Sequence, residues 1–340
     1  MLFLSVFFRT LGFLFALLIF LVIINILLLF SNELSEKYFE MAEGNPNSNN
    51  IIAKVNLSGP IINDNSKVLG NNLYNYINPS QVKSYLEELE KLNTNVLIIN
   101  INSPGGTVSA TAELEQIIYE FKKSTDAKVY FYTKEILASG GYWVATTADK
   151  IFASYGSIIG SIGVSGPSWF YYNKPLSLGS GVFGQSIETK NGIEVFNQNA
   201  GEGKDLFNPF RRPKTDEIKH LQNIVDDVYN DFIQKVSKSR KIEISNIKNN
   251  IGALIYSSNQ AKNKFLIDDI LNYGTLIKLI VKENKFEDYK IYENKISNSI
   301  LANLLVKLES KNKDQYFFEN FCRNLDTNIN LIIPVYLKNC

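Results

Sequence analysis

The chain has 340 residues, 45% of them apolar and 20% charged, enough to bury a sizeable core and too apolar for a disordered chain. Its 35 basic and 34 acidic side chains are interspersed and leave a formal net charge of +1, so there is no basic footprint for nucleic acid. One histidine, His220, and two cysteines without CxxC spacing, Cys322 and Cys340, are too few for an ordinary structural zinc site, and no cofactor is expected.

The chain opens on an apolar run, "LGFLFALLIFLVIINILLLF" at 11 to 30, interrupted only by Gly12 and Asn25. Twenty helical residues span about 30 Å, the thickness of the hydrocarbon layer. The apolar region of a cleaved signal peptide is shorter and leads to an A-x-A-like site, whereas this run leads into "SNELSEKYFE". Residues 1–32 are therefore read as an uncleaved transmembrane anchor. Arg9 before it and Glu33, Glu36 and Glu40 after it leave the bulk of the protein outside the cytoplasm. A polar linker, 33–50, ends in the turn-rich "EGNPNSNN".

The folded domain is expected from residue 51. "IIAKVNLSGPI" reads as a first strand ending at Gly59-Pro60. Val82, Leu86, Leu89 and Leu92 recur at helical spacing behind Ser80, a cap candidate. "NVLIINI" then reads as a buried strand broken by "NSPGG", Thr107 to Phe121 as a helix, "AKVYFYT" as a strand and Ala138 to Ala148 as a helix of small residues. A long helix follows at about 214 to 240. This alternation predicts an α/β domain with a largely parallel sheet.

Two glycine-rich stretches, Ser103 to Gly106 and Ser139 to Gly141, fall where a strand gives way to a helix. That edge of a parallel sheet collects ligands, and free backbone amides there suit an oxyanion. Ser139 in "KEILASGGYWVATTADK" is either a nucleophile lifted onto a helix start or an ordinary N-cap. His220 falls on the solvated face of a helix, so a serine–histidine pair is disfavoured and a lysine is needed as base. A lysine holds its proton to about pH 10.4 unless apolar surroundings strip it. Lys204, in "AGEGKDLFNPF", has such neighbours, with Lys134 and Lys150 as competitors. The S-x-x-K spacings at Ser80, Ser245 and Ser310 lie in polar helical contexts.

Taken in order behind an N-terminal anchor, "INSPGG", "ASGGYWVATTADKIFA", "GSIGV" and "GEGKDLFNPFR" resemble the signal peptide peptidase A family, over roughly Ile51 to Asp268. The resemblance implies a Clp/crotonase-like ββα spiral over 51–285, with a C-terminal tail at 286–340. It implies Ser139 as nucleophile, Lys204 as general base, Ser161 as the serine that orients that lysine, and the amides of Gly106 and Gly140 as an oxyanion hole. It further implies hydrophobic peptide substrates such as signal-peptide remnants. The expected setting is a bacterial cytoplasmic membrane, with the catalytic domain on its outer face. The single-unit members form homo-oligomeric rings in which neighbouring subunits supply the serine and the lysine. The sequence departs from the family at Phe265, where "FLID" replaces G-L-V-D, and in the aromatic stretch 165–192, read as packing. A SohB-type envelope peptidase and a catalytically silent assembly protein are the alternatives. Cys322 and Cys340 are left as either a disulfide or two thiols.

Overall fold

The computed structural model describes residues 2–31, 38–63, 76–173, 177–180, 185–188, 192 and 198–295. Helix α1 (Leu2–Ser31) carries the apolar run, but the side chains of 21–22 and 24–31 lie outside the described residues. Among the described residues no helix is long and apolar enough to cross a membrane.

Strand β1 (Phe39–Gly44) lies within the stretch expected to be linker. Phe39 is its one buried side chain, packed edge-on against Tyr85 at 5.9 Å, so β1 carries almost no apolar pattern to read. Strand β2 (Ile51–Ser58) is the predicted first strand. Helix α2 (Pro79–Lys91) buries Val82, Leu86 and Leu89, but its cap is Asn78, whose side chain accepts the Ser80 amide, with Pro79 opening the first turn. Strand β3 (Val96–Asn102) is buried through Ile101, and α3 (Val108–Thr125) is capped by Thr107. After β4 (Lys128–Thr133), the predicted helix at 138–148 divides: Ala138 ends a short strand, β5 (Ile136–Ala138), and α4 covers only Gly140–Ala145. Strands β6 (Lys150–Ala153) and β7 (Ile158–Gly160) follow, then an antiparallel pair, β8 (Ser177–Ser180) and β9 (Gln185–Glu188).

The long helix α5 (Thr215–Arg240) leads into a short α6 (Ile244–Asn246), a π turn at Ile247–Ile251, β10 (Ile255–Ser257) and α7 (Ser258–Asn263). Phe265, which replaces the family glycine, holds a left-handed backbone with φ 61° and is exposed. The remaining elements are β11 (Asp269–Ile270), α8 (Tyr273–Glu283) and β12 (Lys290–Asn294). Strand β12 extends the domain past the expected boundary at 285. Its polar "KIYEN" conceals an inner strand whose Asn294 is buried and accepts the Asn56 amide at 2.8 Å. Residues 296–340, with Cys322 and Cys340, lie outside the described residues.

The main sheet runs β1-β12-β2-β3-β4-β6-β11, parallel from β12 to β11 with β1 antiparallel at the edge. The α/β prediction is met. Alternate side chains of β3 feed two cores: Leu97, Ile99 and Ile101 face the cluster shared with α2, α3 and α5, and Val96 and Ile98 the smaller one built on α8. A second sheet, β10-β7-β5, is joined to the end of β3 by a bridge between Ser103 and Leu137. That bridge brings the two glycine-rich stretches together.

Candidate active site

The end of β3 is held by its own polar groups. Asn102 Oδ1 accepts from Thr133 Oγ1 and from the amides of Lys134 and Glu135 at 3.0–3.1 Å, fixing the path from β4 into β5. Ser103 donates its amide to the Ile136 carbonyl and accepts from the Ala138 amide. The turn that follows needs its glycines. Gly105 has φ 110°, and a Cβ there would lie 2.7 Å from Ser139 Cβ and 2.9 Å from the Gly140 nitrogen. A Cβ on Gly106 would fall 1.9 Å from the Ile61 carbonyl oxygen. Ile61 pairs with both neighbours of Gly106, donating to the Gly105 carbonyl and accepting from the Thr107 amide. The Gly106 amide itself has no acceptor among the described residues.

Ser139 occupies the N-cap position of α4 but does not cap it. Its side chain makes no capping hydrogen bond, and its backbone, φ 52° and ψ −125°, is one that L-residues rarely adopt. The conformation is locked from both sides: the Ser139 amide donates to the Gly160 carbonyl and the Ser139 carbonyl accepts from the Trp143 amide, each at 2.9 Å. Gly140 opens the first turn, so its amide has no intrahelical acceptor. Ser139, Gly106 and Gly140 share a cavity of about 150 Å³ whose other walls include Val108, Trp143, Val164 and Phe232. Larger grooves, of about 660 and 580 Å³, contain none of the five predicted residues.

The cavity wall is fixed by residues that sequence reasoning missed. Trp143 stacks on Phe232 at 5.0 Å and donates Nε1 to Glu115 Oε2 at 2.8 Å, and Glu115 Oε1 pairs with Lys235 at 2.8 Å. Thr111, 1% exposed, lines the cavity with a hydroxyl that has no partner among the described residues, and a Cβ on Gly140 would lie 2.5 Å from it. No periodicity marks these roles, because each contact joins two of the helices α3, α4 and α5 across the core.

Ser161 follows the peptide that anchors Ser139. It has φ 51°, donates its amide to the Leu254 carbonyl at 2.8 Å and is half-buried. Its hydroxyl makes no hydrogen bond to Lys204. Lys204 lies on a surface turn with its side chain exposed, outside the Ser139 cavity. The apolar neighbours expected to bury it pack elsewhere: Phe207 against Trp169 at 5.4 Å and Phe210 against Tyr172 at 6.5 Å. Trp169 Nε1 and the Tyr172 amide also donate to the Asn208 and Pro209 carbonyls, so these members of the aromatic stretch serve as packing. The rest of the stretch lies mostly outside the described residues.

Arg211 ties this turn to the start of α5, pairing with Asp205 and bidentately with Glu217. Those hydrogen bonds hold both carboxyls below their ordinary pKa and raise that of the guanidinium. Phe232, in the Ser139 cavity, stands fifteen residues beyond Glu217 on the same helix, about 22 Å along its axis at 1.5 Å per residue. Of the five predicted residues, Ser139, Gly106 and Gly140 share one cavity, Ser161 follows the Gly160 carbonyl that accepts the Ser139 amide, and Lys204 lies on a turn that does not line the cavity. Of the competing lysines, Lys150 is paired with Glu283 and Lys134 is exposed at the end of β4. His220 is exposed on α5, as expected. Among the described residues, no cluster of three or more His, Cys, Asp or Glu is placed to hold a metal ion.

Comparison with known proteins adds the family. The chain is 30% identical over 270 residues to a protein of Enterococcus faecium named "Putative signal peptide peptidase SppA", covering 78% of this chain and 72% of that one. It is 32% identical over 217 residues to "Putative protease MJ0651" of Methanocaldococcus jannaschii, covering 62% and 65%. A solved mutant of the 1510-N membrane-bound stomatin-specific protease, in complex with a substrate peptide, covers 76% of this chain and 97% of its own, at 16% identity and a TM-score of 0.43. The family pattern described as Peptidase family S49 matches residues 121–287, a span holding Ser139, Ser161 and Lys204, and together with the relative from Enterococcus it establishes that the chain belongs to this family of serine peptidases.

Proposed function

We propose that the chain is a membrane-anchored serine endopeptidase with a Ser-Lys dyad, built on a Clp/crotonase-like spiral and active as a homo-oligomeric ring. The observation that carries the proposal is the strained Ser139, set in one cavity with Gly106 and Gly140, whose amides have no acceptor among the described residues. The neutral amine of Lys204 takes the Ser139 proton as Oγ attacks a peptide carbonyl, and the two amides receive the oxyanion. Collapse breaks the C–N bond, the lysine proton passes to the leaving amine, and water then hydrolyses the ester. The axial distance along α5 supports delivery of Lys204 to the serine of a neighbouring copy, where the subunit boundary would supply the apolar surroundings that its own turn lacks. Ser161, beside the serine cavity, would then meet and orient the incoming lysine.

The substrates are hydrophobic peptides, signal-peptide remnants among them, bound extended along the edge formed by Gly163, Val164 and Ser165 at the cavity. The apolar run of α1 serves as the anchor in a bacterial cytoplasmic membrane, in contact with lipid, with the catalytic domain on the outer face. The test is hydrolysis of a fluorogenic apolar peptide by the full chain in detergent across about pH 6 to 10, with Ser139→Ala and Lys204→Ala beside it. Both variants should be inactive, and the wild-type rate should rise with pH as the lysine loses its proton. An active Lys204→Ala enzyme would move the base to Lys134. A wild-type ring inert toward the peptide and toward acylating inhibitors would favour the silent assembly protein.

A further inference from the structure

The turn that carries Lys204 has little of its own to hold it. Gly201, Gly203 and Phe207 have φ of 98°, 75° and 64°, and the amides of Lys204, Leu206 and Asn208 donate only to carbonyls three residues back, at 3.1–3.3 Å. No strand or regular helix anchors it. Trp169 and Tyr172 hold its far end, at 207–210, and one guanidinium holds Asp205 beside Lys204: Arg211 Nε donates to Asp205 Oδ2 at 2.5 Å and Nη2 to the Asp205 carbonyl at 3.2 Å. Nη1 and Nη2 reach Glu217 Oε2 and Oε1 at 2.8 and 2.7 Å, and Nη1 also reaches the Arg212 carbonyl at 3.2 Å. The guanidinium lies 5.1 Å from the Trp169 ring centroid. Glu217 Oε2 in turn accepts the Lys214 amide at 2.8 Å, so the same carboxylate closes the start of α5.

We propose that Arg211 is a positioning residue for the general base: acting through Asp205, it fixes the Lys204 turn to α5 so that the amine reaches the serine of a second copy. The inference rests on the dyad reading above and names what holds its lysine half. Arginine is required because a planar fork can serve the carboxylate of Glu217, the carboxylate and carbonyl of Asp205 and the face of Trp169 at once. A lysine at the same position offers one point charge and can satisfy only part of that set.

The test mixes full-length chains so that each carries one half of the site. Ser139→Ala chains mixed equally with Lys204→Ala chains should regain about a quarter of wild-type activity, the share of boundaries in a closed ring that join an intact serine to an intact lysine. Arg211→Ala added to the Lys204→Ala chain, which supplies the serine, should leave that recovery unchanged. Added to the Ser139→Ala chain, which supplies the lysine, it should abolish it. Equal recovery in both mixtures, or loss in both, would overturn the proposal, the second outcome marking a general folding role. In the homogeneous enzyme, Arg211→Lys should lower kcat about 10- to 100-fold with KM within about twofold, the pattern of a displaced catalytic group. Wild-type kcat in Arg211→Lys, with Lys204→Ala inactive, would reject the clasp and leave the dyad standing. An active Lys204→Ala enzyme would reject the dyad and the clasp with it.

Discussion

The serine half and the lysine half of the candidate site are built in opposite ways. Ser139 stands on β5 and α4, where Leu137, Ala138 and Gly140 through Ala145 are all buried, and its backbone is clamped by a hydrogen bond on each side. Lys204 stands on an exposed turn that one arginine and three aromatic contacts fasten to a helix end. A strained residue such as Ser139 persists only where surrounding packing over-determines it, and the core supplies that packing. On the proposed mechanism Lys204 must cross to another molecule, and such a residue has to project from the surface instead. The division of labour therefore follows from where each side chain has to act.

The sharpest way to break this comparison is to disturb the rigid half by one carbon. Gly106→Ala places Cβ 1.9 Å from the Ile61 carbonyl oxygen, a backbone atom that cannot swing aside. The turn must shift and carry its amide with it. Loss of one oxyanion donor costs about 10²- to 10³-fold in kcat, and that loss is expected here with KM changed far less. Steady-state kinetics on an apolar peptide would measure it. Retention of wild-type kcat would remove Gly106 from the site.

A smaller effect is expected at the wall. Trp143→Leu removes the ring stacked on Phe232 and leaves Glu115 facing Lys235 alone, which should destabilise the fold by about 3 kcal/mol and widen the cavity. Thermal melting would report the first effect. A peptide series graded by the side chain before the cut would report the second, with preference moving toward larger groups. An unchanged preference would mean that this cavity does not receive that side chain.

Thr111→Val tests whether the buried hydroxyl is spare. An unpartnered hydroxyl costs stability, so the nearly isosteric valine should leave the melting temperature unchanged or raise stability by about 1 kcal/mol. Activity should stay within about twofold of wild type. A large fall in kcat without a fall in stability would instead make Thr111 part of the chemistry.

The same contrast explains what the sequence could and could not reveal. Helices α2, α3 and α5 announce themselves because their buried positions recur at helical spacing, and strands β2, β3 and β4 because they are short apolar runs buried along most of their length. Strands β1 and β12 are silent because an edge with one buried phenylalanine and an inner strand built around a buried asparagine carry no apolar pattern. Ser139 was legible because a serine followed by two glycines sits awkwardly in a helix, and the structure resolves the awkwardness as strain rather than capping. The apolar neighbours of Lys204 predict burial, yet its side chain is exposed. Phe207 and Phe210 face Trp169 and Tyr172, an arrangement that only the path of 161–173 along α5 dictates. Arg211 left a faint signal, lying midway between two acids, Asp205 and Glu217, each six residues away.

Acid should separate the halves with the smallest effect. Asp205 and Glu217 both titrate below their ordinary values, chiefly because Arg211 donates to them. A depressed carboxyl contributes fully above its unfolded pKa, about 4, and loses that contribution as pH falls through the lower folded value. The clasp should therefore open below about pH 4, while the residues that line the serine cavity, none of them acidic, keep their geometry. Both acids are solvent-accessible, so the change in global stability is small and the turn is the place to look. A fluorophore attached next to Lys204 should gain mobility in that range at constant far-ultraviolet dichroism, and Arg211→Ala should show the same mobility at neutral pH. If acid loosened Ser139 and Lys204 together, the two halves would be one cooperative unit, and the division between a rigid serine and a tethered lysine would have to be given up.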